Sequence, residues 1–233
     1  MRIFAKGFNF NQDGPGNRLV YHLAGCNMHC PWCSNPEGMS GTEGRTYTVE
    51  QIVEECKSCR LLFFGGGGVT FTGGEATLQA DELLQVLQQL KSEGIHTAIE
   101  TNGTAERLPE IATYVDYLIM DFKHYDGYKL KQITGIGDER IKKNFEYFCG
   151  SKRQLHIRIP LINGFNVEDP KAFVAYFTKQ DTTQVSFELL PYHEYGKSKW
   201  QTAYTVVNGF VSVEQIKLFE QAFIDAGLNI INT

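Results

Sequence analysis

Apolar runs of strand length alternate with stretches of helical spacing along almost the whole chain, and that alternation limits the architectures open to it. Strands are predicted at Arg18–Ala24, Val69–Thr72, Ile95–Glu100, Tyr117–Asp121, Leu155–Pro160 and Val185–Leu190. Helices are predicted between and after them, near Val49–Cys59, Ala80–Ser92, Ala105–Thr113, Asp138–Phe148, Pro170–Lys179 and Val213–Ala226, with a short apolar tail at Leu228–Ile231. Within Ala80–Ser92, Leu83, Leu84, Leu87 and Leu90 fall on one face at helical spacing. Several strand candidates are nearly unbroken apolar runs, as expected of strands covered on both faces. Six βα units point to a parallel sheet with helices outside it, closed as a barrel or open and doubly wound. At 233 residues the chain lies at the upper end of a single domain. It shows no linker, internal repeat or low-complexity tract, so one domain spanning residues 1–233 is predicted.

Charge and cysteine usage narrow the function classes. A formal charge of −5 argues against nonspecific nucleic-acid binding, which needs clustered Lys and Arg. No apolar run approaches the roughly 20 residues that cross a bilayer. The segment Met1–Gly7 lacks the apolar stretch of a signal peptide. With 42% apolar residues the chain has material for a substantial core, and its mildly negative mean hydropathy predicts solubility. The six cysteines form no regular disulfide framework and suit a reduced, cytoplasmic setting. Neither a nucleic-acid nor a membrane partner is expected.

Three of those cysteines sit in Cys26-Asn27-Met28-His29-Cys30-Pro31-Trp32-Cys33, directly after the strand predicted at Arg18–Ala24. Structural zinc sites and all-cysteine iron–sulfur centres are normally closed by four protein ligands. A compact three-cysteine loop instead suits three irons of a cubane [4Fe–4S] cluster, leaving the fourth open to an exogenous molecule. A zinc loop with a distant fourth ligand and three merely buried thiols are the competing readings of the cysteines. Other polar motifs also follow strand ends, the side on which active sites of barrel-like α/β folds assemble.

About forty residues on, Thr72-Gly73-Gly74-Glu75 ends another predicted strand, joining two glycines that permit close backbone approach to a carboxylate that accepts from an ammonium. The CxxxCxxC loop followed by this GGE resembles the radical S-adenosylmethionine (SAM) superfamily. Asp13-Gly14-Pro15-Gly16-Asn17-Arg18 before the loop and Ser34-Asn35-Pro36-Glu37 after it narrow the resemblance to the glycyl radical enzyme activating enzymes, of the pyruvate formate-lyase activating type. The likeness continues through Gly66–Glu75, Glu100-Thr101-Asn102-Gly103, Met120-Asp121-Phe122-Lys123 and Glu188-Leu189-Leu190-Pro191-Tyr192-His193-Glu194-Tyr195-Gly196-Lys197, so it spans nearly the whole chain. It implies an incomplete (β/α)6 barrel of the TIM-like kind. It also implies an oxidoreductase that reductively cleaves SAM at a [4Fe–4S] cluster and abstracts a Cα hydrogen from a glycine of a partner glycyl radical enzyme. Flavodoxin or ferredoxin is the implied electron donor.

Residue by residue, the resemblance assigns Cys26, Cys30 and Cys33 to the cluster. Trp32 is placed near the SAM adenine, and Gly73, Gly74 and Glu75 at the SAM amino group. Asn102 belongs to the same cofactor-binding set, Arg158 pairs with the SAM carboxylate, and Lys123 and His193 lie near the ribose. Asp13, facing the substrate peptide, and Lys123 are the candidate catalytic residues. Glu100, Thr101 and Asp121 match a monovalent-cation site, an oxygen-rich set suited to a hard cation. The sequence departs from the family at Ala76, where proline often follows GGE, at Ser34, commonly His in the pyruvate formate-lyase type, and at Glu100, more usually Asp.

Cys56-Lys57-Ser58-Cys59 forms a second CxxC on the helix predicted at Val49–Cys59, without the eight-cysteine ferredoxin-like insert that several activating enzymes carry. Reduced structural thiols, a metal site completed from outside and a redox disulfide are its open readings. Cys149 is expected to be a buried apolar residue. Two functional alternatives remain in view. One is a radical SAM enzyme acting on a small molecule, in the manner of a deazapurine synthase, against which the DGPG and ELLPYHE blocks count. The other is a non-enzymatic zinc-binding module.

Overall fold

Six strands and the helices between them appear close to where the alternation of apolar runs puts them. The computed structural model describes residues 1–231, arranged as two compact units. The first contains residues 1–27, 35–101 and 105–119, and the second the described residues 28–34, 102–104 and 120–231.

In the first unit, β1 (Arg2–Phe10) pairs antiparallel with both β2 (Asn17–Leu23) and the two-residue β3 (Arg45–Thr46). From β2 inward the pairing is parallel, to β4 (Gly68–Gly73) and then β5 (Thr97–Thr101). Between them run α1 (Val49–Ser58) and α2 (Ala80–Ser92). Helix α1 starts at a capping box in which Thr48 accepts from the Gln51 N–H and the Gln51 side chain accepts from the Thr48 N–H. Leu83, Leu84, Leu87 and Leu90 of α2 are all buried, as their spacing predicts. The short α3 (Leu108–Ala112) begins later than predicted because Pro109 is accommodated only in a first turn. β6 (Tyr117–Asp121) runs from this unit into the second.

The second unit holds β7 (Leu155–Leu161), which pairs parallel with β8 (Val185–Pro191), and β8 pairs parallel with β9 (Asn229–Ile230). Its helices, in the same chain-order numbering, are α4 (Gly127–Thr134), α5 (Glu139–Ser151), α6 (Pro170–Phe177) and α7 (Val213–Asp225). Its core is aromatic. Phe177 sits within 4.8–6.3 Å, centroid to centroid, of Phe122, Phe145, Phe173, Phe187 and Phe223. Rings at these separations meet mostly edge to face, which their quadrupoles favour.

Three elements escape the sequence reading. The strand at Arg18–Ala24 is β2 rather than the first strand. β1 precedes it, and most of β1's residues from Ala5 to Phe10 are exposed, so its sequence carries no buried-strand signature. β3 is only two residues long. α4 lies in a stretch with just two buried side chains, Leu130 and Thr134; Asp126 caps its start and Gly135, at φ +86°, ends it. The apolar tail predicted at Leu228–Ile231 contributes β9.

Candidate active site

Each unit gathers part of the residue set singled out from the sequence. In the first unit the chain leaves β2 through Gly25 into Cys26, and the GGE turn leaves β4 directly against it. The Gly74 N–H donates to the Leu23 carbonyl at 2.9 Å, the Glu75 N–H to the Gly25 carbonyl at 2.7 Å, and the Cys26 N–H to the Met39 carbonyl at 3.2 Å. Both glycines are required by this approach. A Cβ on Gly74 would stand 2.1 Å from the Gly25 oxygen, and Gly73 has φ +125° with the Leu23 nitrogen 2.3 Å from where its Cβ would be. The two residues thus let the Glu75 main chain reach the backbone beside the first cysteine.

Glu75 is 1% exposed. Its Oε1 accepts from the Thr101 hydroxyl at 2.7 Å, the Thr77 hydroxyl at 2.5 Å and the Thr77 N–H at 3.0 Å. Such donors fix its rotamer. Glu100 accepts from the Thr72 hydroxyl at 2.7 Å. Thr77, which the sequence reading did not single out, follows the GGE by two residues and braces its carboxylate.

The second unit holds the rest of the cysteine loop. The Cys33 N–H donates to the Cys30 carbonyl, and the His29 N–H donates to the Thr134 carbonyl at the end of α4. Trp32 packs on Phe165, ring centroids 4.7 Å apart. The ELLPYHEYGK block supports the loop from its C-terminal side. A Cβ on Gly196 would come within 2.5 Å of the Ser34 Cα and 2.7 Å of the Cys33 oxygen. The Trp200 indole donates to the Cys33 carbonyl and the Lys199 ammonium to that of Ser34, each at 3.1 Å. Trp200 and α4 are supports of the loop that sequence reasoning missed; neither carries a local pattern, because their partners lie far along the chain.

Further along this unit, Arg158 on β7 faces Glu188 on β8 in register. Glu188 Oε2 accepts from Arg158 Nε at 2.6 Å and lies 2.9 Å from His156 Nε2, all three side chains being buried. Lys123 Nζ pairs with Asp121 at 2.5 Å. Asn102 is buried, its Oδ1 accepting from the Thr104 N–H and hydroxyl. His193 is exposed and stacks on Tyr195 at 4.2 Å.

None of the six cysteines is in a disulfide; Cys30 is buried and Cys26 and Cys33 are partly exposed. Among the described residues no group of three or more His, Cys, Asp and Glu is gathered to hold a single metal ion. A cluster places its thiolates on separate irons rather than around one point. Three cysteines within eight residues, none in a disulfide and with no fourth cysteine in the loop, are a donor set that fits it. Cys56 differs. It is fully buried beside the Tyr21 hydroxyl, and burial pushes its thiol up to about 12. Cys149 is buried as expected, its thiol pushed up to about 11. Among the described residues no helix is long and apolar enough to cross a membrane.

The sequence profile of the radical SAM superfamily matches residues 20–177, and the chain belongs to that superfamily, whose enzymes share the α/β, partial (β/α)6 barrel fold class. It is 33% identical over 194 residues to the pyruvate formate-lyase 1-activating enzyme of Escherichia coli strain K12, covering 81% of this chain and 79% of that one. At that identity and coverage it belongs, within the superfamily, to the activating-enzyme type, a family of enzymes built around an iron–sulfur cluster and SAM. A crystal structure of a domain of pyruvate-formate lyase-activating enzyme from Bacteroides vulgatus superposes with a TM-score of 0.60 at 29% identity, over 71% of this chain and 98% of that domain. Streptococcus suis SuiB bound to S-adenosylmethionine shares the fold at 15% identity, with a TM-score of 0.69 over 92% of this chain and 49% of that one.

Proposed function

We propose that this enzyme activates a partner glycyl radical enzyme by removing a Cα hydrogen from one of its glycines. The observation that carries the reading is the GGE turn seated on the backbone next to Cys26, in a chain one-third identical to an activating enzyme. When bound, the [4Fe–4S] cluster and SAM supply a carbon-centred radical strong enough for a glycyl Cα–H bond. The chain's own task is to bind, orient and exclude water.

Cys26, Cys30 and Cys33 hold the cluster in this reading. Glu75, fixed by Thr101 and Thr77, takes the SAM amino group with Gly73 and Gly74 giving it access. Arg158, fixed by Glu188, takes the SAM carboxylate through charge-assisted hydrogen bonds. Trp32 is assigned to the adenine, and Asn102, Lys123 and His193 to the remaining polar contacts of the cofactor. Glu100, Thr101 and Asp121 are proposed as oxygen donors to a monovalent cation, which has to displace the Lys123 ammonium from Asp121. Asp13 meets the substrate polypeptide. Flavodoxin or ferredoxin donates the electron, the setting is cytoplasmic, and the two units together form a single radical SAM domain.

The test is anaerobic reconstitution with iron and sulfide, addition of SAM, a low-potential reductant and the candidate glycyl radical enzyme, and electron paramagnetic resonance of the partner. A glycyl radical signal dependent on all components supports the proposal. SAM cleavage without that signal, together with turnover of a small molecule, supports a small-molecule radical SAM enzyme instead.

A further inference from the structure

Strand β1 has one edge bonded along its length and one edge that is not. Its inner edge pairs with β2, while among the described residues its outer edge pairs with β3 only at Arg2 and Ile3. From Ala5 to Phe10 the outer main-chain N–H and C=O groups therefore lack a neighbouring strand. Natural edge strands are commonly guarded by lysine or proline. Ala5–Phe10 contains no proline and one charge, Lys6, whose ammonium is already held by Glu55 of α1 at 2.6 Å.

The same stretch is bordered by uncovered apolar side chains. Phe8 and Phe10 share the face of Lys6, because side chains alternate along a strand. Phe8 lies beside Phe63 with ring centroids 6.5 Å apart, and Phe10 beside Phe64 at 6.0 Å. The turn Arg60–Leu62 adds two leucines and is tied to the sheet there: the Asn17 side-chain amide donates to the Leu62 carbonyl at 2.8 Å, and Asn17 is the ladder partner of Phe10. Phe8, Phe10, Leu61, Leu62 and Phe64 are 44–96% exposed. At about 200 Å² per whole side chain this leaves roughly 600 Å² of apolar surface, the upper end of what a monomeric protein shows in one patch. At its border Arg60 pairs with Glu93 and Lys57 with Glu54.

We propose that this face is the interface of a homodimer, in which the open β1 edges of two copies pair antiparallel and the two aromatic patches meet over the junction. A two-fold axis normal to the sheet pairs such an edge with itself and puts the α1 face of both copies on the same side, so that patch meets patch. An isologous contact counts the patch twice, about 1,200 Å² before the strand backbones are added, which is where stable interfaces begin. The bordering charges are neutralised within each copy, so the surface selects an apolar partner rather than an acidic or basic one. The Asp13 carboxylate accepts from Asn9, whose side chain lies on the opposite face of β1 from Phe8 and Phe10. The contact therefore does not depend on the activity proposed above.

Sedimentation velocity of the reconstituted protein between about 1 and 100 µM chain tests the contact. The species expected at the upper end has twice the 26.3 kDa mass of the chain. Leu61→Glu and Phe10→Glu each raise the dimer dissociation constant roughly hundredfold or more, because one substitution removes apolar area at two places in the interface. Leu218→Glu, at an exposed leucine of α7 outside the patch, leaves it unchanged. Amides of residues 5–10 exchange roughly tenfold slower in the wild-type dimer than in Leu61→Glu. A wild type that stays monomeric over the whole range overturns the proposal; if Leu61→Glu then also fails to generate the partner's glycyl radical, the patch belongs to the partner enzyme instead. A dimer equally strong in both patch variants, one weakened as much by Leu218→Glu, or equal exchange at residues 5–10 overturns the placement at β1.

Discussion

Replacing Glu188 probes how the proposed cofactor arginine is held. Glu188, Arg158 and His156 have side chains 5%, 10% and 1% exposed, and one carboxylate oxygen accepts from both partners. Glu188→Ala leaves a guanidinium in the interior without that carboxylate, which costs about 3–5 kcal/mol. A chain of this length loses about 2–4 °C of melting temperature per kcal/mol, so the midpoint falls by roughly 6–20 °C. Arg158→Met/Glu188→Leu removes both charges together and should recover most of the loss, because exchanging a buried ion pair for apolar volume is often near neutral. The coupling between the two positions is therefore expected to exceed about 2 kcal/mol. Urea denaturation of the reduced apo-protein, followed by circular dichroism and by tryptophan fluorescence with coincident transitions, measures all variants. In the reconstituted protein, Glu188→Gln should also weaken SAM affinity while the cluster absorption stays intact. A double variant as unstable as Glu188→Ala would refute the argument, since no buried charge is then left to blame.

Cys30→Ala should abolish SAM cleavage and reduce bound iron after reconstitution; full activity removes the cluster assignment. Glu75→Ala should weaken SAM binding by roughly ten- to hundredfold, the loss of a charged hydrogen-bonding partner, and equilibrium dialysis that finds unchanged affinity ends that role for the residue. With its thiol near pKa 12, Cys56 carries about one thiolate in ten thousand at pH 8, so its alkylation by iodoacetamide should be slow and speed up about tenfold per pH unit up to pH 11. The same raised pKa means that the unfolded thiol ionises first, so the stability Cys56 contributes falls as pH rises beyond the ordinary thiol range near 8.5. Cys56→Ala/Cys59→Ala should keep four irons and near-normal cleavage; joint loss of metal and turnover would reassign the pair.

Much of this enzyme was legible before any coordinates. Strand and helix periods follow from which side chains must be covered, and those are local in sequence, so β2, β4 to β8 and α2 fall near their predicted places. The cysteine loop and the GGE are also local, since close backbone approach next to a donor requires glycine and a carboxylate at fixed spacing. Only tertiary structure decides which remote partners complete them. Thr101 on β5 braces Glu75, Glu188 on β8 braces Arg158, and Trp200 holds the carbonyl of Cys33 from 167 positions away. The exposed strand β1 and helix α4 were likewise hidden, because an element with little buried surface leaves no periodic trace. Arg18 shows the limit most plainly: in the sequence it is one more residue of a strand, and only the tertiary structure buries it and supplies the Thr70, Val69 and Pro15 oxygens that accept from it.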